Sequence, residues 1–156
     1  MNAARTAFAI AAMATCLAAS AGARADCLDD AAAWLSVDSQ LVHAIAYHES
    51  GMRADAINRN RDGSRDIGLM QINSSWLPTL ARSGISETDL FNPCVNAWVG
   101  TWILRGNIDR LGPTWKAVGA YNAVSPAKQL RYANRIYPLW QAIRLANPPL
   151  AVTESK

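Results

Sequence analysis

A carboxylate in the last turn of a short apolar helix, directly ahead of a glycine that must end it, constrains this chain most. Leu41, Val42, Ala44, Ile45 and His48 recur at helical spacing, and Asp38 stands where an N-cap belongs. Gly51 follows Tyr47-His48-Glu49-Ser50 and can adopt the left-handed conformation that closes a helix. Glu49 therefore sits at the helix end where the macrodipole disfavours negative charge, in an apolar setting that disfavours it further. Both effects raise the pKa. A carboxyl that stays protonated near neutral pH is what a general acid for a glycosidic oxygen requires. For a lone glutamate, the plainer reading is a surface residue beside a helix terminus, so the surroundings must decide.

The rest of the chain reads as helices with one polar interruption. Helices are expected at Leu28–Leu35 and Asp38–Ser50, then a polar loop, Met52–Asp66, folding into a small hairpin about Asp62-Gly63. Asn73 or Ser74 caps a short helix through Leu80, and Ser86-Glu87-Thr88-Asp89 has the form of a capping box. Asn92-Pro93 opens a helix to Leu111, Gly112-Pro113 breaks it, Thr114 caps Trp115–Tyr121, and Pro126 opens a last helix to Leu145. No internal repeat or linker divides the chain.

Residues 1–25 read as a cleaved signal peptide: Arg5, an apolar Ala-rich run from Thr6 to Ser20, then Ala23-Arg24-Ala25 as the cleavage site. The run is short for a membrane span, so no stable membrane anchor is expected. A lipid anchor at Cys27 is disfavoured, because Arg24-Ala25-Asp26 is charged where a lipidation signal is small and apolar. Domain boundaries follow: 26–147 as one folded domain, 148–156 as a flexible tail. Without Arg5 and Arg24 the 15 basic residues become 13 against 12 acidic ones, a net charge of about +1 that argues against nucleic acid as a partner. Cys16 leaves with the leader. In an oxidising compartment, Cys27 and Cys94 then read as a disulfide, with two buried free thiols as the alternative.

Three short motifs occur in order: Glu49-Ser50, Gly68-Leu69-Met70-Gln71 and Ala120-Tyr121-Asn122. Together they resemble the motif set of the soluble lytic transglycosylase (SLT) domain, the lysozyme-like family that cuts bacterial peptidoglycan. The likeness runs from about Cys27 to Trp140. Its short, signal-bearing form with two cysteines looks most like the small members that accompany secretion, pilus and conjugation machinery. The resemblance implies a predominantly α, α+β lysozyme-like fold with a small hairpin beside the groove. It also implies a periplasmic monomer with peptidoglycan glycan strands as partner and no cofactor.

By position, Glu49 matches the family's catalytic glutamate, and Ser50 is placed to tune it by hydrogen bonding. Gly68 is expected to admit close backbone approach of the sugar, with Met70 and Gln71 lining the groove. Tyr121 is expected to bring its hydroxyl near the glutamate, Asn122 to support that geometry, and Tyr132 to match a later tyrosine. Val124 departs from the family's usual glycine. The run Asp62 to Ser74 is also similar to the hairpin of c-type lysozymes, whose second carboxylate Asp66 matches. Two mechanisms are thus open. In one, Glu49 acts as acid and then base, closing a 1,6-anhydromuramyl ring. In the other, Asp66 stabilises or attacks the sugar and water completes retaining hydrolysis. A purely structural Asp66, bonded within the turn or to Arg65, is equally open.

Other candidates are weaker. His43 and His48 lie about 140° apart around a helix, with no HExxH spacing and no third ligand, so no metal is expected. Trp98 and Trp102, four apart on one helix, read as core, while Trp76 is a candidate sugar platform. Arg53, Arg59, Arg61 and Arg65 read as solvated loop charge with weak steering toward an acidic polymer. A reading of another class is a wall-binding assembly component with little catalysis.

Overall fold

The computed structural model describes residues 19–147, with side chains from Cys27 onward. Most of the leader and the C-terminal tail lie outside the described residues. The elements are α1 (Ala19–Trp34), α2 (Ser39–Ser50), β1 (Ile57–Arg59), β2 (Arg65–Ile67), β3 (Ile72–Asn73), α3 (Leu77–Leu80), α4 (Pro93–Leu111), α5 (Trp115–Gly119) and α6 (Pro126–Ala146). Short 3-10 turns at Ser74–Trp76, Ala81–Ser83 and Thr88–Phe91 join them. This is a mostly helical, lysozyme-like fold with a small antiparallel sheet.

Local chemistry sets the helix ends. The Asp38 carboxylate accepts from the Leu41 amide, and Gly51 closes α2 at φ 62° with its amide bonded to the Tyr47 carbonyl. Asn92 accepts from the amides of Cys94 and Val95 with Pro93 in the first turn, and Thr114 accepts from Ala117. Ser86 and Asp89 bond each other reciprocally, although they open a 3-10 turn rather than an α-helix. Two bounds differ from expectation. Helix α1 begins at Ala19 rather than Leu28, and α5 ends at Gly119 rather than Tyr121. Helix α6 runs on through Pro138, as expected, although that residue lacks the amide that would bond the Asn134 carbonyl.

Helix α4 runs through the middle of the molecule. Ala97, Gly100, Thr101 and Leu104 recur at i, i+3, i+4 and i+7 and are all buried. Helices α1 and α5 pack on α4, and α6 packs on α2 and α5. Leu28, Ile45, Leu69, Met70, Leu90, Leu104 and Ile136 are fully enclosed in the core they share. Each such side chain contributes about 1.5–3 kcal/mol by leaving water. Cys27 of α1 and Cys94 of α4 form the expected disulfide, with Cα atoms 5.0 Å apart.

The sheet pairs β1 with β2 and β2 with β3, so the expected hairpin gains a third strand. Asp66 stands opposite Asn58 on one side and Asn73 on the other. The turn over 60–64 is closed by Asn60 and Ser64, with Gly63 at φ 85°. The tryptophans correct one expectation. Trp98 and Trp102 are 37% and 44% exposed and lie on the outer side of α4. Their four-residue spacing puts them on one helix face, but that face meets Trp34 and Trp76 edge-on instead of the core.

Candidate active site

A groove of about 290 Å³ opens between the end of α2, the sheet and the segment after α5, lined by Glu49, Asn60, Asp66, Gln71, Trp76, Tyr121 and Asn122 among others. Gly51 fixes where α2 ends, and so fixes Glu49 at the groove's inner edge. Tyr132, projecting from α6, donates its hydroxyl to the Glu49 carboxyl. Burial pushes the Glu49 pKa up from 4.5 to about 7; the Tyr132 bond opposes that rise and the nearby charge of Asp66 adds to it. Burial and the neighbouring carboxylate also raise Tyr121 and Tyr132 well above the ordinary phenol range, so both remain hydroxyl donors. The two rings lie nearly parallel with centroids 6.4 Å apart. His48 meets the Tyr132 ring edge-on at 5.4 Å, and burial together with the charge of Arg135 lowers its pKa. A neutral imidazole thus sits beside the acid.

The Asp66 carboxylate is held from strand β3 and from the 60–64 turn. Asn60 Nδ2 donates to one carboxylate oxygen at 3.0 Å and Asn73 Nδ2 to the other at 2.7 Å. Both amides also donate to Ser64 Oγ, which in turn donates to Asp62. Arg65 turns away and pairs with Glu87 at 2.6 Å. The sequence marked Asn73 only as a helix cap and did not mark Asn60, although Asn73 is the cross-strand partner of Asp66.

The Gly68–Gln71 turn forms the groove's floor, and nearly every polar group in it is bonded. The Gly68 amide bonds the Ala56 carbonyl, Gln71 Nε2 bonds the carbonyls of Gly68 and Ala56, Ser50 Oγ donates to the Leu69 carbonyl at 2.7 Å, and Tyr121 donates to the Met70 carbonyl at 2.9 Å. Beneath it, Asn96 of α4 is completely buried. Its side-chain oxygen accepts from the Met70 amide at 2.7 Å and its nitrogen donates to the carbonyls of Ile67 and Leu90 at 2.8 Å each. An asparagine in the first turn of a helix, past its cap, carries no motif, and sequence reasoning missed it.

Three expectations are corrected by this geometry. Met70 does not line the groove: its side chain is fully buried and fits against Gly100, where a Cβ would come within 2.4 Å of the sulfur. Gly68 serves close approach to α4 and not to a sugar, since a Cβ at φ 76° would lie 2.3 Å from Asn96 Nδ2 and 2.5 Å from the Leu90 carbonyl. Ser50 is buried and bonds the turn rather than Glu49. Tyr121 does lie near enough to Glu49 to feel its charge, but its hydroxyl is given to Met70, and Tyr132 is the residue bonded to Glu49. Gln71, Asn122 and Trp76 do line the groove, with Trp76 braced edge-on by Trp102 at 5.5 Å. His43 pairs with Asp29 at 3.0 Å. Among the described residues, no three His, Cys, Asp or Glu side chains cluster as metal ligands, and no helix is long and apolar enough to cross a membrane.

A half-buried acid poised near neutrality, bonded by a phenol and facing a second carboxylate across an open groove, suits proton transfer to a polymer threaded past it. Comparison with known proteins agrees. The family model described as the transglycosylase SLT domain matches residues 26–135. The chain is 42% identical over 125 residues to invasion protein IagB of Salmonella typhimurium, covering 77% of this chain and 78% of that protein. It is 42% identical over 119 residues to protein IpgF of Shigella flexneri (73% and 78% covered). It is 41% identical over 123 residues to a peptidoglycan-binding-like protein of Escherichia coli O157:H7 (71% and 74% covered). The chain is a peptidoglycan lytic transglycosylase and belongs to the transglycosylase SLT domain family.

Proposed function

We propose that this enzyme cleaves the β-1,4 bond between N-acetylmuramic acid and N-acetylglucosamine with Glu49 as the only proton-transfer group. Protonated Glu49 gives its proton to the glycosidic oxygen, and the bond to the muramyl anomeric carbon breaks. The resulting carboxylate, bonded by Tyr132, then takes the proton of the muramyl C6 hydroxyl as that oxygen attacks the anomeric carbon. The products are a 1,6-anhydromuramyl end and a free N-acetylglucosamine hydroxyl, and Glu49 is reprotonated. The observation that carries this reading is Glu49 set at the inner edge of the groove and bonded by Tyr132, where burial raises its pKa to about 7 and lets one group hold a proton and then retrieve one at neutral pH.

Asp66 supports the oxocarbenium-like centre as a fixed negative charge. Each of its oxygens already accepts an asparagine amide, which holds the charge in place and weakens it as a nucleophile. Its presence in the groove is nonetheless the one observation favouring a hydrolytic second reading, with Asp66 as nucleophile or stabiliser and water as acceptor. Mass spectrometry of muropeptides released from purified sacculi decides. Anhydro ends are expected; reducing ends would replace ring closure by hydrolysis. Glu49→Gln is expected to abolish release while the protein remains folded, and normal release by that variant would remove Glu49 from its role.

Export to the periplasm with cleavage after Ala25 completes the proposal, and recovered protein should begin at Asp26. The enzyme would then act as a monomer that opens the wall locally for a secretion, pilus or conjugation apparatus, a role consistent with the invasion-protein name of its Salmonella relative.

A further inference from the structure

Charge is divided unevenly along the chain. Residues 26–109 carry eleven acidic and six basic side chains, whereas residues 110–147 carry six basic side chains and no acid. Three of those cations, Lys128, Arg131 and Arg135, are spaced by three and four residues on α6, so they form one exposed row. Among the described residues, none of the three side chains has an ion pair or hydrogen bond. Of the other cations, Arg65 pairs with Glu87, Arg105 with Asp109, and Arg53 bonds the Ser50 carbonyl.

The row adjoins the catalytic groove. Tyr132, the phenol bonded to Glu49, lies between Arg131 and Arg135 in sequence and about 60° from Arg135 around the helix. Arg135 is close enough for its charge to act on His48, the residue preceding Glu49. The groove itself is lined by two carboxylates and no lysine or arginine. Anionic groups on a substrate would be repelled within the groove and find cations on this flank. Peptidoglycan carries such groups: the peptides on its muramyl sugars bear free carboxylates, which arginine binds well through its two-pronged guanidinium.

We propose that the Lys128–Arg131–Arg135 row is a second recognition surface for the same substrate, holding the carboxylates of the muramyl peptides while the glycan lies in the groove. This rests on the reading of the groove as a glycan-cleaving site. It makes peptide-bearing strands the preferred substrate over bare glycan.

Binding is measured in the Glu49→Gln protein, so that cleavage does not interfere, against intact sacculi and against bare strands in the form of chitin oligosaccharides, which keep the β-1,4 backbone and carry no carboxylate. The double change Arg131→Gln/Arg135→Gln should weaken binding to peptide-bearing material about fivefold at low ionic strength, given the modest worth of each exposed ion pair. It should leave binding to bare strands unchanged and erase the preference between the two. Arg59→Gln/Arg61→Gln on the hairpin should keep that preference. Equal loss on both materials would reduce the row to nonspecific attraction, and no loss on either would overturn the proposal. A Glu49→Gln protein that binds both equally refutes this surface alone, whereas one that binds neither removes the glycan reading beneath it.

Discussion

Replacing Glu49 by glutamine should stabilise the protein, and only above mildly acidic pH. Folding raises the Glu49 pKa from 4.5 to about 7, so the folded state binds its proton more tightly than the unfolded chain does. Below 4.5 both states are protonated and the site imposes no penalty. Between 4.5 and about 7 the unfolded chain releases the proton while the folded one retains it, and stability falls with rising pH. Above about 7 both are ionised and the loss is complete. At about 1.4 kcal/mol per pH unit, that interval gives about 3 kcal/mol at most, since the side chain keeps some solvent contact. Glutamine stays neutral throughout and retains an oxygen that can accept the Tyr132 hydroxyl. Thermal denaturation of both proteins at pH 4 and pH 8 should show nearly equal midpoints at the lower pH and a variant melting roughly 10 °C higher at the upper one. An advantage independent of pH, or one confined to acid, would refute the buried, proton-retaining Glu49.

Activity needs protonated Glu49, so it should fall as pH rises through about 7. Tyr132→Phe removes the bond that lowers this pKa and should move the falling limb upward by about one pH unit, whereas Asp66→Asn removes a raising charge and should move it downward by less. The pH dependence of kcat/KM checks both signs. Asn96→Ala would leave the Met70 amide and the carbonyls of Ile67 and Leu90 without their buried partner, at a cost of about 3–5 kcal/mol. Denaturant unfolding showing a loss below 1 kcal/mol would dismiss that role. Cys27→Ser/Cys94→Ser opens a bridge between residues 67 apart and should cost about 4 kcal/mol, read in the same assay.

Features governed by nearest neighbours were readable in the sequence. Asp38, Asn92, Thr114 and Gly51 act within four residues of themselves, so their capping roles follow from residue type and position. Asp62-Gly63 marked the hairpin, and the two cysteines beyond the expected leader marked the disulfide. What was not readable depends on partners distant in sequence. The Tyr132 bond to Glu49 spans 83 residues, and the Tyr121 bond to Met70 spans 51. From residue type alone the two tyrosines are interchangeable, and only the packing of α6 against α2 assigns one to the acid. Gly68 and Met70 belong to a motif that reads as groove surface, yet both face α4, because a turn that presents Gln71 outward must turn its other residues inward.

Asn96 ties the floor of the groove to helix α4, whose inner face is buried in the core. Its three bonds join β2, the Met70 turn and the segment ahead of α4, so the floor cannot breathe without disturbing the spine on which the other helices lean. Deuterium should therefore enter the Met70 amide only as fast as it enters the centre of α4, in a single cooperative event. An incoming strand then meets an unyielding bed, and whatever accommodation it requires has to come from the opposite bank, where Asn122 and the start of α6 are open to solvent.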